Sequence, residues 1–309
     1  MTRRVPELSL KAFSQGADAE RAAFSTELMR GLKDYGFIVL RDHDVPIDLL
    51  DRAYAATAEV FALPEEAKRR YTAGMRGYTP FGVEHAKDSG LADLKEFWQV
   101  GHAPSPGETI DEPFPDNVWP EEVPAFRAEI TALFDRLNEA GITVLQALAP
   151  ELGLDGHWFD DKVRWGTSLL RILHYPPIGD DAAPGAVRSA AHEDINFLTL
   201  MPAAKGKGLE LLDRDGSWLA IEADPTSLIV DSGDMLARMT NGVIPATTHR
   251  VINPDGPNVS RYSMPFFMHP TLATSLDVLP SCRGGGEVPP PITAGEMLHE
   301  RLKAIGLAK

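Results

Sequence analysis

Ser189-Ala-Ala-His192-Glu193-Asp194-Ile-Asn196-Phe197-Leu198-Thr199 is the stretch from which the rest of the chain is read. His192 and Asp194 stand two apart, and on an extended strand such side chains project from one face. An imidazole and a carboxylate held side by side suit adjacent positions on one metal ion. The same alternation turns Glu193 the other way, toward solvent, and makes it a poor ligand. Downstream, Ala246-Thr-Thr-His249-Arg250-Val-Ile252 supplies a second imidazole, 55 residues after Asp194, in another strand-like run. Beyond the turn-rich Asn253-Pro-Asp-Gly-Pro-Asn258 comes Ser260-Arg261-Tyr262-Ser263-Met264, with Arg261 12 residues after His249. Arg261 and Ser263 again share a strand face.

Taken singly, an H-x-D pair is more often a surface pair, and a strand histidine more often a hydrogen-bonded core residue. Their order changes the balance. Two imidazoles and one carboxylate, with coordination positions left open, form the facial triad of non-haem Fe(II) chemistry.

The flanking sequence is strand-like from Ser168 onward. Leu169–Tyr175, Phe197–Met201, Gly208–Leu212, Trp218–Ile221, Ser227–Val230, Met235–Arg238, Thr247–Ile252 and Arg261–Met268 are expected strands. Asp213-Arg-Asp215-Gly216-Ser carries a hairpin signal between two of them. About eight short strands separated by turns suggest a sandwich or barrel, of which the jelly roll is one solution. Upstream, helical spacing runs from Asp18 to Tyr35, closed by Gly36, and from Pro46 to Phe61, with a short helix at Pro64–Tyr71. Val5–Leu10 and Phe37–Leu40 read as strands. Met75–Glu84 reads as a loop rich in Gly, Pro and aromatics, with Tyr78, Phe81 and Phe97 as pocket candidates. The alternative is that Phe97 and Trp98 only pack the N-terminal region onto the barrel. Ala103–Pro120 is Pro-rich and acidic, a surface connection.

The longest helical pattern, Val123–Leu152, carries Phe126, Ile130, Leu133, Phe134 and Leu137 on one side. Gly141 within it marks a kink or a close contact. A short helix is expected over 155–163 and a final one over Thr293–Ala308. The division that follows is an N-terminal region over 1–120 and a catalytic core over 121–309, joined in one structural unit.

Composition bounds the partners. The 309 residues carry a formal net charge of −15, a field that disfavours nucleic acid and anionic membrane. The single cysteine, Cys282, excludes an internal disulfide and fits a reducing, cytoplasmic setting. No apolar run is long enough to span a bilayer, and Met1–Glu7 lacks the apolar core of a signal peptide. Oligomeric state is left open.

In the order H-x-D, second His, R-x-S, the chain resembles the isopenicillin N synthase-like family of Fe(II)/2-oxoglutarate-dependent dioxygenases. Gly36-Phe-Ile-Val-Leu40, His43 and Val45-Pro46 are similar to the N-terminal region of that family, with His43 in a structural role. The resemblance implies a mixed α/β (α+β) fold, with a double-stranded β-helix (jelly-roll) core flanked by helices and a mainly helical N-terminal region. It implies Fe(II) on His192, Asp194 and His249 as the catalytic centre. Molecular oxygen is then a cosubstrate, and a small molecule is oxidised, with hydroxylation the usual outcome, as 2-oxoglutarate yields succinate and CO2. It assigns the distal carboxylate of 2-oxoglutarate to Arg261 and Ser263, and a hydrogen bond to Tyr175. A guanidinium fork matches a carboxylate, and a buried arginine needs an anion. The competing roles are a surface salt bridge for Arg261 and a strand-closing residue for Tyr175.

The chain departs from the family in three places. Leu173 stands where relatives often have Asn, Glu193 where many have Thr, and Pro254–Pro257 takes up a slightly long interval before Arg261. Three rivals stand beside this reading. They are a family member that does not consume 2-oxoglutarate, a jelly-roll protein that binds metal without turnover, and a zinc hydrolase. The last lacks an H-E-x-x-H helix and leaves Arg261 without a role. Phe197, Phe267 and His269 are expected to border the substrate pocket.

Overall fold

The apolar spacing from Asp18 to Tyr35 forms the helix it predicts. The computed structural model describes residues 3–84, 91–104, 114–180, 182–204 and 207–304. It opens with β1 (Glu7–Ser9), α1 (Leu10–Ser14) and α2 (Asp18–Tyr35). Gly36 ends α2 in the left-handed region, φ 67°, and its N–H caps the Leu32 carbonyl. Next come β2 (Phe37–Arg41), α3 (Ile47–Phe61) behind Pro46, and α4 (Glu65–Arg69).

β3 (Thr72–Ala73), β4 (Arg76–Thr79) and β5 (Glu96–Gly101) follow. Met75–Glu84 is therefore not wholly a loop. Tyr78 pairs with Trp98 across β4 and β5, and both are fully buried. The glycine and aromatic content that suggests a loop here lets a strand approach its neighbour closely. The Ala103–Pro120 connection is described only outside 105–113. Its last residues are anchored, since Val118 accepts the Trp98 indole N–H at 2.9 Å.

α5 (Pro124–Leu148) runs into a 3-10 turn at Ala149–Leu152, and α6 (Asp160–Val163) is shorter than the helix expected over 155–163. The remainder is β6 (Leu169–Tyr175), β7 (Ser189–His192), β8 (Leu198–Pro202), β9 (Leu209–Leu212), β10 (Trp218–Ala220) and β11 (Leu228–Ser232). Then come α7 (Asp234–Met239), β12 (His249–Val251), β13 (Arg261–Ser263), β14 (Phe266–Met268) and α8 (Ala294–Ala304). The last part of the expected C-terminal helix, 305–308, lies outside the described residues.

Two expectations are corrected here. Met235–Arg238 is a helix, because Met235, Leu236 and Met239 bury one helical face behind Gly233. A four-residue apolar window does not separate that pattern from a strand. Arg261–Met268 is two strands, because Pro265 lacks the N–H that would continue the ladder.

The larger sheet runs β1-β2-β11-β8-β14-β6-β5-β4-β3, with β13 also on β6. The smaller runs β10-β9-β12-β7. They face each other as a jelly roll, and the N-terminal strands β1 and β2 extend the larger sheet.

Strand parity assigns each side chain of the larger sheet to one of two faces. Ile38, Leu40, Leu170, Ile172, Leu200, Val230 and Phe266 join the helical residues Leu28, Leu32, Val60, Ile130 and Leu137 in one core. Phe37, Val39 and Ile229 point the other way and meet Leu209, Leu211 and Val251 of the smaller sheet. This is why Phe37–Leu40 is apolar at every position: both faces are covered. Each such side chain contributes roughly 1.5–3 kcal/mol when buried. Gly141 is a close contact. A Cβ there would lie 2.5 Å from Met268 Cε and 3.1 Å from Leu200 Cδ1, so α5 presses its glycine onto β8 and β14.

Candidate metal centre

On the inward face of the jelly roll, parity brings the polar residues together. β7 ends on His192 and β12 begins on His249, and the two are register partners across the smaller sheet. Their ring centroids are 4.4 Å apart. Asp194 follows two residues after His192 on a loop rather than on the strand. Its Oδ1 lies 3.8 Å from His192 Nε2 and 4.0 Å from His249 Nε2. One donor atom from each residue falls within 4.8 Å of the others, a spacing that suits a single ion.

Hydrogen bonds select the atoms that face this point. His192 Nδ1 is 2.8 Å from the Ala190 carbonyl, and His249 Nδ1 is 3.1 Å from that of Thr247. A carbonyl only accepts, so both Nδ1 atoms carry the proton and both Nε2 lone pairs are free for a metal. Burial, then the neighbouring His249, holds His192 down to about 4, so the ring is neutral at pH 7. Asp194 Oδ2 accepts from the Thr199 hydroxyl, which in turn accepts from Asn196 Nδ2 at 2.9 Å. That leaves Oδ1 for the ion.

The loop carrying Asp194 is held from behind by α7. Asp234 N–H donates to the Asp194 carbonyl at 2.7 Å, and Met235 N–H to those of Ile195 and Asn196 at 3.1 and 3.2 Å. Gly233 permits the approach, since a Cβ there would lie 2.4 Å from Asn196 O. Glu193 is exposed and accepts from the Thr248 hydroxyl, outside the group of donors.

Arg261 stands on β13 opposite Tyr175 of β6 and is 2% exposed. Its Nε and Nη1 have no partner, and among the described residues no carboxylate pairs with it. A surface salt bridge is therefore not its role. It lines a cavity of about 360 Å³ between the sheets, with Met201, Leu209, Ile221 and Ile229. Ser263, inward on the same strand, has its Oγ 3.0 Å from Met201 Sδ. An uncompensated guanidinium beside a cavity and a three-donor metal cluster fit a chelating 2-oxo acid with a distal carboxylate.

Several of the expected pocket residues lie elsewhere. Tyr78 faces the helices, where its hydroxyl meets Glu65 at 2.9 Å and also Glu96. Phe81 is exposed, and Phe197 packs on Phe159 in the main core. Phe97 does face inward, beside Leu173 and Tyr175. The Arg171 guanidinium lies 4.5 Å from the Phe97 ring and 5.5 Å from that of Phe267. His269 is buried, its Nδ1 unpartnered. His43 is structural, with Nε2 2.7 Å from the Thr226 carbonyl.

Sequence reading missed an inward ion-pair group. Arg171 Nη1 donates to both Glu84 oxygens, at 3.0 and 3.1 Å, and Lys95 Nζ lies 2.8 Å from both Glu84 and Asp93. Burial pushes the Glu84 carboxyl up, but Arg171 and Lys95 outweigh it and hold the group at about 2. Asp231 was missed too. Burial, then the Asp194 charge, raises its pKa well above the usual carboxylate range. An acid in the apolar run Leu228-Ile-Val-Asp231 was the available signal.

Residues 5–122 match the family model for the N-terminal region of non-haem dioxygenases in morphine synthesis. Residues 166–270 match the model for the 2OG-Fe(II) oxygenase superfamily. The 2-oxoglutarate-dependent dioxygenase htyE of Aspergillus rugulosus is 30% identical over 92% of each chain. A Caulobacter crescentus protein assigned to the 2OG-Fe(II) oxygenase family has a solved structure with TM-score 0.87. It is 41% identical over 98% of this chain and 100% of its own. A full-length Neurospora crassa protein, solved in complex with alpha-KG, is 27% identical over 96% of this chain and 95% of its own, with TM-score 0.85.

Proposed function

The chain belongs to the 2OG-Fe(II) oxygenase superfamily and is an Fe(II)- and 2-oxoglutarate-dependent dioxygenase acting on a small molecule; on that premise we propose that His192, Asp194 and His249 hold the iron. Each imidazole would bind through Nε2, with Nδ1–H donated to its own strand, and Asp194 through Oδ1. Arg261 and Ser263 take the distal carboxylate of 2-oxoglutarate, and Tyr175 directs its hydroxyl to the same cosubstrate. The reaction is hydroxylation, with succinate and CO2 released.

Held by these residues, iron together with 2-oxoglutarate would supply the oxidative chemistry. The chain's own residues bind, orient and shield. With three protein ligands, the ion would keep coordination positions for cosubstrate and oxygen. Leu173, Phe97 and Phe267 furnish an apolar wall, and Arg171 a polar contact within it. We also propose that the regions 1–120 and 121–309 work as one unit, since β2 and β11 share a ladder.

The observation that carries this reading is the convergence of three donors within 4.8 Å, both Nδ1 protons already engaged. Its test is oxygen uptake and succinate formation by protein supplied with Fe(II) and 2-oxoglutarate while a panel of small metabolites is screened. Turnover that survives Asp194→Ala or His249→Ala would overturn the assignment of the ligands. No described helix is long and apolar enough to cross a membrane.

A further inference from the structure

Arg188 lies four residues before His192, on the approach to β7, and is 3% exposed. Its backbone N–H is donated to Asn253 Oδ1 at 3.1 Å, and its Nη2 to the Val259 carbonyl at 2.7 Å. Val259 is two residues ahead of Arg261, so the side chain crosses toward the start of β13. Its Nε is buried with no partner, as are Nε and Nη1 of Arg261. Among the described residues neither guanidinium has a carboxylate. Burial, then the Arg261 charge, pulls Arg188 below the ordinary arginine range, while Tyr175 acts on it in the opposite direction. The Val259 carbonyl thus ties Arg188 to the segment leading into Arg261, whose own guanidinium lies over the Tyr175 ring.

Two buried cations that repel each other are costly unless an anion joins them. Of the described acids, Glu222 shares the cavity lining with Arg261 but is exposed and pairs with Lys207 at 3.3 Å, so neither guanidinium has a carboxylate partner. We propose that Arg188 is a second cationic hold on the distal carboxylate of 2-oxoglutarate, shared with Arg261. This rests on the reading that Arg261 receives that carboxylate. Arg188 is assigned to the cosubstrate rather than to an anionic substrate by its tether. Val259 leads into the strand that bears Arg261, whereas the wall formed by Arg171, Phe97 and Phe267 belongs to β5, β6 and β14. One carboxylate offers two oxygens and about four lone-pair sites, enough for two guanidiniums.

The test is equilibrium binding to protein loaded anaerobically with Mn(II), which replaces iron without turnover. Two ligands are titrated. One is 2-oxoglutarate; the other is 2-oxopentanoate, which keeps the chelating end but finishes in a methyl group. Wild type is expected to favour 2-oxoglutarate strongly. Arg188→Met is expected to reduce that preference at least tenfold and to leave 2-oxopentanoate affinity within about threefold, with Arg188→Lys intermediate. Arg188→Gln serves in place of the Met variant if the latter does not fold, and melting temperatures report on that. Equal losses for both ligands would show a merely structural arginine and overturn the proposal, as would an unchanged preference. Wild type that binds both ligands alike would overturn the Arg261 reading as well.

Discussion

Arg261 faces Tyr175 directly across the β13–β6 ladder, its guanidinium carbon 5.2 Å from the centre of the phenol ring. The ring covers one side of the cation without neutralising it, and the cavity opens beside it. A buried charge in that state destabilises the ligand-free fold and is satisfied when a carboxylate arrives.

Arg261→Met is therefore expected to separate stability from binding. The melting temperature of ligand-free protein should stay level or rise, since an uncompensated charge has gone. Affinity for 2-oxoglutarate should fall by roughly 2–5 kcal/mol, the cost of removing one partner of a buried charge pair. Saturating 2-oxoglutarate should stabilise wild type through mass action and leave the variant almost unmoved. Titration calorimetry and thermal melts check both, and a variant that melts lower yet binds as before would refute this account of Arg261.

Gly233 is expected to matter to the metal although it touches none. A Cβ there would meet Asn196 O at 2.4 Å and Asp194 O at 2.8 Å, both backbone atoms. Gly233→Ala must move the loop bearing Asp194 or break its hydrogen bonds to α7. The expected loss is about 1–3 kcal/mol of stability, together with at least tenfold weaker metal binding. Titration with Mn(II), alongside a urea melt, measures the two. Metal affinity equal to wild type would show that α7 does not set the loop.

Acid should weaken the metal-free protein through its buried histidines. His102, packed among Phe114, Phe134 and Trp165, is held to about 4, chiefly by burial. His269 is likewise held to about 4, again chiefly by burial. In the unfolded chain these rings take up protons near pH 6.5. Between about 6.5 and 4 the unfolded state binds more protons, so stability falls as the pH is lowered through that window. Each ring contributes on the order of 1–3 kcal/mol. Glu84, held at about 2 against a usual 4.5, adds a further loss below that range. Urea midpoints at pH 7.5 and 5 should differ, and His102→Phe should narrow the gap. An unchanged gap would remove His102 from the account.

The sequence brought His192, Asp194 and His249 to one candidate cluster through their order and spacing, although the strand parity expected for Asp194 fails, since that residue stands on a loop. His192, Arg261 and Ser263 needed only an alternation of two and a recognisable order along the chain. α2 and β6 were legible to the residue for the same reason: long, clean periodicity with Gly36 and Pro176 at their ends. What parity does not reveal is which face of a strand becomes the site. Phe97 and Trp98 look alike as a pair, yet Trp98 packs on Phe126 of α5 while Phe97 meets Arg171 inside the roll. Arg188, Glu84 and Lys95 were missed because their partners lie far away in sequence. Met235–Arg238 was misread because its helix exists to cap the Asp194 loop, a tertiary reason invisible in four residues.

Thr199 sets the last expectation, because it decides which oxygen of Asp194 is free. Its hydroxyl donates to Asp194 Oδ2 from β8, the strand next to Asp231 on β11. Asn196 donates to that same hydroxyl, so its proton is steered to the carboxylate and away from Oδ1. Thr199→Val keeps the shape and deletes the donor. It leaves Asp194 free to rotate and strands the Asn196 amide, whose Oδ1 already lacks a partner. Supporting hydrogen bonds of this kind typically change metal affinity 10–100-fold when removed. Mn(II) affinity is expected to drop within that range, while 2-oxoglutarate added to saturation recovers part of the loss by clamping the ion from the open side. Thr199→Ser, which restores the hydroxyl, should bind metal nearly as well as wild type. If Val and Ser variants bind Mn(II) equally, the hydroxyl does not orient the carboxylate, and packing of the Thr199 methyl alone would account for its place on β8.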